Sequence, residues 1–251
     1  MSDELSRRGF VLGLGMVGFL PAPAWCFGSA VRFHVAELNI GTGSIHRPEA
    51  WKRMLHEIIQ ATSVEAEPTV VRVAPDDPKL FEHPFCVLAG TSGFEPLSEE
   101  AIRQLRRYLS YGGFLLIDDA SGTGTGAFAK SARRMVRRIF PTKALAPLPK
   151  DHALYRSFFL LDKPVGRTHG TGVVEAVQLG PTAPLMFCTC DLSGALDRTA
   201  DGRNRNMLPQ GELQRREAVK LAINLALYSL TSNYKHDIAH VVELMREGRL
   251  E

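Results

Sequence analysis

Tyr111-Gly-Gly-Phe-Leu-Leu-Ile-Asp-Asp-Ala-Ser-Gly-Thr-Gly-Thr-Gly126 decides the fold. Phe114 to Ile117 is an apolar run too short for a helix and without polar alternation. It reads as a strand buried on both faces, which is the habit of parallel sheets covered by helices. Gly112 closes a helix before it, and an acidic, glycine-rich turn follows it. Asp118, Asp119 and Ser121 then fall at the carboxyl end of a central strand, where open α/β sheets gather ligands.

Outward from this stretch, helices and strands alternate. Towards the amino terminus, Ser98 caps a helix whose first turn carries Glu99 and Glu100 and whose buried face is Ala101, Ile102, Leu105, Tyr108 and Leu109. Val31 to Leu38, Thr69 to Val73 and Phe85 to Ala89 read as strands. Pro48 starts a helix with an apolar stripe from Trp51 to Ile59. Towards the carboxyl terminus, Ala127 to Phe140 is a helix with Phe128, Ala132, Met135 and Val136 on one side and Lys130, Arg133, Arg134, Arg137 and Arg138 on the other.

Pro141 to Pro149 reads as a linker and Asp151 to Tyr155 as a short turn. Val173 to Gln178 and Leu185 to Thr189 read as a strand pair turning at Gly180-Pro181. Thr199 to Gln210 is a polar, mobile loop, Glu212 to Leu230 a buried helix and His236 to Arg246 a terminal one. The succession of β-α units predicts a three-layer α/β fold with a mostly parallel, doubly wound sheet and a β-hairpin elaboration.

The amino terminus predicts an address. Ser6-Arg-Arg-Gly-Phe-Val-Leu12 leads into an apolar run ending at Leu20, then Pro-Ala-Pro-Ala24, the pattern of a twin-arginine export signal. Phe10 to Leu20 is 11 residues, against the ~20 needed to span a bilayer. Cleavage is expected after Ala24, with Ala30 as the alternative, and Trp25 disfavours a lipoprotein reading of Cys26. The expected organisation is a signal peptide over 1–24, one α/β domain over 31–232 and a terminal helix over 233–251, in the periplasm or cell envelope.

The full chain has 251 residues and a net charge of +3, to which residues 1–24 add nothing because Arg7 and Arg8 balance Asp3 and Glu4. A mild charge and a pI near 8.7 are no nucleic-acid signature, and nucleic acid is a poor partner for an exported protein.

Several groups are candidates for chemistry. Asp118 and Asp119 could hold a hard cation or act as an acid-base pair, or instead one could cap the turn while the other meets solvent. Gly122-Thr-Gly-Thr-Gly126 before a helix resembles a phosphate cradle, but it lacks the P-loop lysine and the dinucleotide spacing, which favours a plain turn. Cys188 and Cys190 share a strand face, so core packing, or a disulfide from one of them to Cys86 or Cys26, is expected over a redox site. His236 and His240 stand one helical turn apart without the glutamate of a metalloprotease, and read as a solvated face. The five cations of the Lys130 to Arg138 helix are either a docking surface for an anionic partner or lipid surface, or a solvated face.

Leu88-Ala-Gly-Thr-Ser-Gly-Phe-Glu-Pro-Leu-Ser98, the Leu105 to Asp119 block, Asp151-His152, Cys190-Asp191-Leu192 and Leu221-Ala-Ile-Asn-Leu-Ala-Leu-Tyr-Ser-Leu230 together resemble the bacterial domain of unknown function 4159 family. That resemblance implies a flavodoxin-like, class I glutamine amidotransferase-like sheet, and partners among MoxR-type ATPases and von Willebrand factor A-type proteins. Where the family pattern often has a histidine this chain has Thr91, so no role is carried over to that position. The turn that would bear an amidotransferase thiolate holds Asp118, Asp119 and Ala120, so glutaminase chemistry is not expected. The expectation is a non-catalytic binding or interaction module with no cofactor clearly indicated. Its alternative is a metal-assisted hydrolase, with carbohydrate as the candidate substrate class and Asp118, Asp119, Ser121, Asp191 and His152 or His169 at one cleft.

Overall fold

The computed structural model describes residues 32–246, with side chains described as far as Ser232. The expected export signal, its cleavage sites and Cys26 lie outside the described residues, as do the side chains of His236 and His240. Five strands run parallel in the order β2 (Ala66–Val73), β1 (Phe33–Leu38), β3 (Phe85–Gly90), β4 (Phe114–Asp119) and β7 (Thr182–Cys188). Beyond β7 the sheet continues through β6 (Val174–Leu179), antiparallel to it, and the two-residue edge strand β5 (Ala146–Pro147). This is a seven-stranded, mostly parallel α/β sheet between two helical layers, as the alternation of the sequence requires.

The side-chain period of two sorts the sheet into two cores. On one face Val35, Val87, Leu116 and Met186 pack under α1 (Pro48–Ala61), α4 (Leu192–Leu196) and α5 (Gly211–Arg246). On the other, Leu38, Leu88, Ile117 and Phe187 pack under α2 (Glu99–Ser110) and α3 (Ala127–Ile139). All six residues of β4 are buried, so the central-strand reading holds. Ser98 caps α2 by accepting from the amide of Ala101 at 3.1 Å. Gly112 ends it with φ 98°, a conformation that costs glycine little.

Four features differ from the sequence reading. The Pro141 to Pro149 linker contains β5. A short helix, α4, follows β7 where only a chain segment was expected. The Thr199 to Gln210 loop is pinned: Arg198 bridges Asn204, the Asn206 side chain donates to Gly194 O at 2.9 Å and Arg215 donates to Asn206 O at 2.7 Å. Finally, α5 runs unbroken to Arg246, because nothing between Leu230 and His236 is a proline or glycine that would stop it.

The sheet also corrects one disulfide expectation. Cys86 packs on the α2/α3 face, Cys188 and Cys190 on the α1/α5 face. With β4 between them, two strand spacings of roughly 10 Å exceed the Cα reach of a disulfide. No helix among the described residues is long and apolar enough to cross a membrane.

Candidate functional site

The chain leaves β1 for β2 on one side and returns to β3 on the other, so the topological switch point lies between the carboxyl ends of β1 and β3. That crevice is where sheets of this kind receive ligands. Here the chain's own loop from Asn39 to His46 fills it. Ile45 N donates to Ala89 O at 2.7 Å, and a Cβ on Gly90 would sit 2.2 Å from Gly43 O and 2.3 Å from the Phe128 ring. Glycine at 90 is therefore a packing requirement.

One strand further, Asp118 is fully buried on the α1/α5 face. Its two oxygens accept from the amides of Leu192 at 2.9 Å and Ser193 at 2.8 Å, the opening residues of α4. Asp191, also fully buried, caps that helix at Gly194 N at 3.0 Å from a left-handed φ of 52°. The strain of that conformation is accepted because two cations hold its carboxylate. Arg47 donates to Oδ1 at 2.6 Å, and Arg167 donates to Oδ2.

Arg47 also reaches Ser193 Oγ at 3.0 Å, while its amide donates to Glu37 Oε1 at 2.8 Å. Glu37 Oε2 pairs with His46 Nδ1. A single network thus ties β1, the switch-point loop, α1, β4 and α4 together. Its solvent edge is formed by His46, 47% exposed at the side chain, and Arg167, 34% exposed. Burial, and then the neighbouring charge of Asp191, raise the Asp118 carboxyl to about 6, against the lowering effect of its hydrogen bonds from Ser193 and Leu192.

Asp119 does not join Asp118. Successive strand residues point to opposite faces, and Asp119 turns toward the α3 side. Its Oδ1 accepts from Ser121 N at 3.1 Å and Ser121 Oγ at 2.6 Å, and its Oδ2 from Gly124 N at 2.8 Å. The pair therefore does not converge on one cation, and each carboxylate would have to give up backbone donors to bind one. Ser121 is a local partner of Asp119. The glycine-rich turn is closed on itself too, since Gly126 N donates to Thr123 Oγ1 at 3.1 Å.

Of the two histidines, exposed His169 lies in the loop whose Arg167 and Thr168 amides donate to Asp191 O and Cys190 O at 3.1 and 3.0 Å, so it shares the rim. His152 does not. Its Nδ1 accepts from Leu154 N at 3.2 Å and its ring lies 5.3 Å from that of Tyr228, whose hydroxyl accepts from Ala183 N at the start of β7. That is the opposite, amino end of the sheet. Burial lowers the His152 pKa.

The sequence reading missed Glu37, His46, Arg47, Arg167 and Ser193. Glu37 carried a usable signal, an acidic residue near a strand end in phase with buried Val35. Arg47, just before a helix-opening proline, carried a weak one, and Arg167 none.

Three of the five cations of α3 are committed internally. Arg133 pairs with both oxygens of Glu175 and lies 4.9 Å over the Phe187 ring. Arg138 donates to Leu97 O and to Glu99, each at 2.6 Å, and Arg134 donates to Phe94 O at 3.1 Å. Lys130 and Arg137 are exposed, and neither has a hydrogen bond or ion pair to another side chain among the described residues. With exposed Arg134 between them they line one stripe at helical spacing.

Fold and site define an α/β protein whose strand-end groups are held by one another, with serine and threonine hydroxyls but no cysteine in the β4–α3 turn. Residues 34–230 match the family described as Domain of unknown function (DUF4159), and the chain belongs to that family. No curated protein matches it.

Proposed function

We propose that this chain is a non-catalytic binding module of the cell envelope, exported by its twin-arginine segment and built on an amidotransferase-like sheet. The observation that carries the reading is the switch-point crevice filled by the Asn39 to His46 loop, beside carboxylates whose oxygens are engaged. Taking charges out of water offsets much of what such a network gains, so we read it as fixing the arrangement of the loop and α4 rather than as a source of stability. Cys190 supports the same reading. It is buried at the end of the sheet, and the Cys188 thiol and burial hold its pKa well above that of an ordinary thiol, the opposite of what a thiolate nucleophile needs.

The docking element is the Lys130, Arg134, Arg137 stripe, and its partner is acidic on the contacting face. MoxR-type ATPases and von Willebrand factor A-type proteins are the candidates that the family resemblance brings. Capture from an envelope extract with the wild type and with the Lys130→Glu/Arg137→Glu variant tests it. The reading expects a partner retained by the wild type and lost by the variant. Equal capture by both, or a hydrolytic activity of the purified protein abolished by Asp118→Asn, overturns it.

A further inference from the structure

Cys188 ends β7 and Cys190 lies two residues beyond, both at most 1% exposed. Their sulfurs are 3.0 Å apart, about one ångström beyond the length of a disulfide bond. Both are free thiols. Among the described residues neither sulfur has a hydrogen-bond partner besides the other, and the third described cysteine, Cys86, packs on the far face of the sheet. Among the described residues no cluster of three or more His, Cys, Asp or Glu side chains could hold a metal ion, so a dithiol here has no third ligand from this region.

We propose that Cys188 and Cys190 are a disulfide-forming pair that closes a Cys-Thr-Cys ring at the end of β7. The backbone around them is already fixed for it. Gly166 packs so tightly that a Cβ there would lie 2.2 Å from Cys190 O and 2.8 Å from its sulfur, and Thr168 N donates to Cys190 O at 3.0 Å. Ring closure locks the residue that precedes Asp191, whose left-handed conformation presents its carboxylate to Arg47 and Arg167. The oxidant is a small or protein disulfide such as glutathione disulfide. In a local opening that exposes the pair, one cysteine thiol gives up its proton, attacks the glutathione disulfide and releases a glutathione thiolate, which takes that proton up. The second cysteine sulfur then attacks the mixed disulfide and releases the other. Two cysteine thiols are oxidised, one disulfide is reduced to two thiols, and both protons end on glutathione.

The test uses the full chain in glutathione buffers of graded ratio, with a catalytic disulfide isomerase, held until labelling stops changing. Acid quenching, unfolding, alkylation and trypsin digestion follow. No lysine or arginine lies between Arg167 and Arg198, so both cysteines fall in the single peptide Thr168 to Arg198. In oxidising buffer this peptide is expected to be unlabelled and about two mass units lighter, from loss of two hydrogens, while the Cys86 peptide is labelled. Cys188→Ser and Cys190→Ser each restore one label to the peptide. A doubly labelled peptide at the oxidising endpoint, a stable glutathione adduct, or a crosslink to the Cys86 or Cys26 peptide overturns the proposal.

Discussion

The carboxylate of Asp118 accepts from the amide of Ser193 at 2.8 Å across 75 residues of chain, and in doing so anchors the start of α4 to the central strand. Asp118→Asn leaves one acceptor where two amides donate and turns its own N–H toward the other. Losing one buried acceptor costs about 1–3 kcal/mol, to be read as a lower urea midpoint at pH 7.

The pH dependence of that cost has a definite sign. The Asp118 carboxyl titrates near 6 when folded and near 3.8 when unfolded, so folding takes up a proton between those values. Its contribution is most favourable below about pH 4 and is lost as pH rises through 6. The wild type regains it on acidification and the asparagine variant cannot, so the stability gap between them should widen from pH 7 to 4.5. A gap that stays constant or narrows contradicts the buried-carboxyl account.

Gly90→Ala places a methyl group 2.2 Å from Gly43 O and 2.3 Å from the Phe128 ring. Neither can retreat, since Phe128 is fully buried and the loop is bonded to β3. Overpacking of this kind costs about 1–3 kcal/mol or more. Gly93→Ala, where the nearest atom is 3.4 Å away, should leave the thermal midpoint within about a degree of the wild type. Equal midpoints for the two variants would show that the loop does not press on Gly90.

The central strand buried on both faces, the alternation of strands and helices that makes the sheet mostly parallel and the cap at Ser98 were legible because each rests on a local pattern: periodicity, a capping residue, a glycine stop. The site was legible in half. Asp118 and Asp191 were visible as acids beside apolar runs, yet the Asp191 partners Arg47 and Arg167 reach it across 144 and 24 residues of chain, and no periodicity encodes such a meeting. His152 was misplaced for the same reason: its turn folds back to the amino end of the sheet, a matter of topology. The basic face of α3 read as a run of free charge because Glu175 and the Leu97 carbonyl, which hold two of its arginines, come from distant segments.

Those arginines should differ measurably. Arg133→Ala removes a two-oxygen pairing with partly buried Glu175 and a cation–π contact with Phe187, and is expected to cost about 1–2 kcal/mol. Lys130→Ala, on the exposed stripe, should fall within about 0.5 kcal/mol of the wild type. Chemical denaturation of the two variants side by side checks this, and the reverse order would mean that α3 is held by its stripe cations.

Asn224 on α5 joins that helix to the Leu154 to Phe159 segment. It is fully buried and serves three backbone groups of the segment that lies over it. Its carbonyl oxygen accepts from Phe159 N at 2.8 Å, and its amide donates to Leu154 O and Phe159 O, each at 2.8 Å. Asn224→Ala strips all three of partners at about 1–3 kcal/mol for a buried group, offset in part by water reaching the half-exposed Phe159 backbone. Asn224→Asp keeps the shape and the acceptor but sets a second oxygen against two carbonyls and buries a charge, so it should be the worse of the two at pH 7 and should recover on acidification as the carboxyl takes up a proton. Hydrogen exchange at the Phe159 amide separates a local loosening from global unfolding. Its protection should drop in the alanine variant under conditions where amides in β4 remain protected.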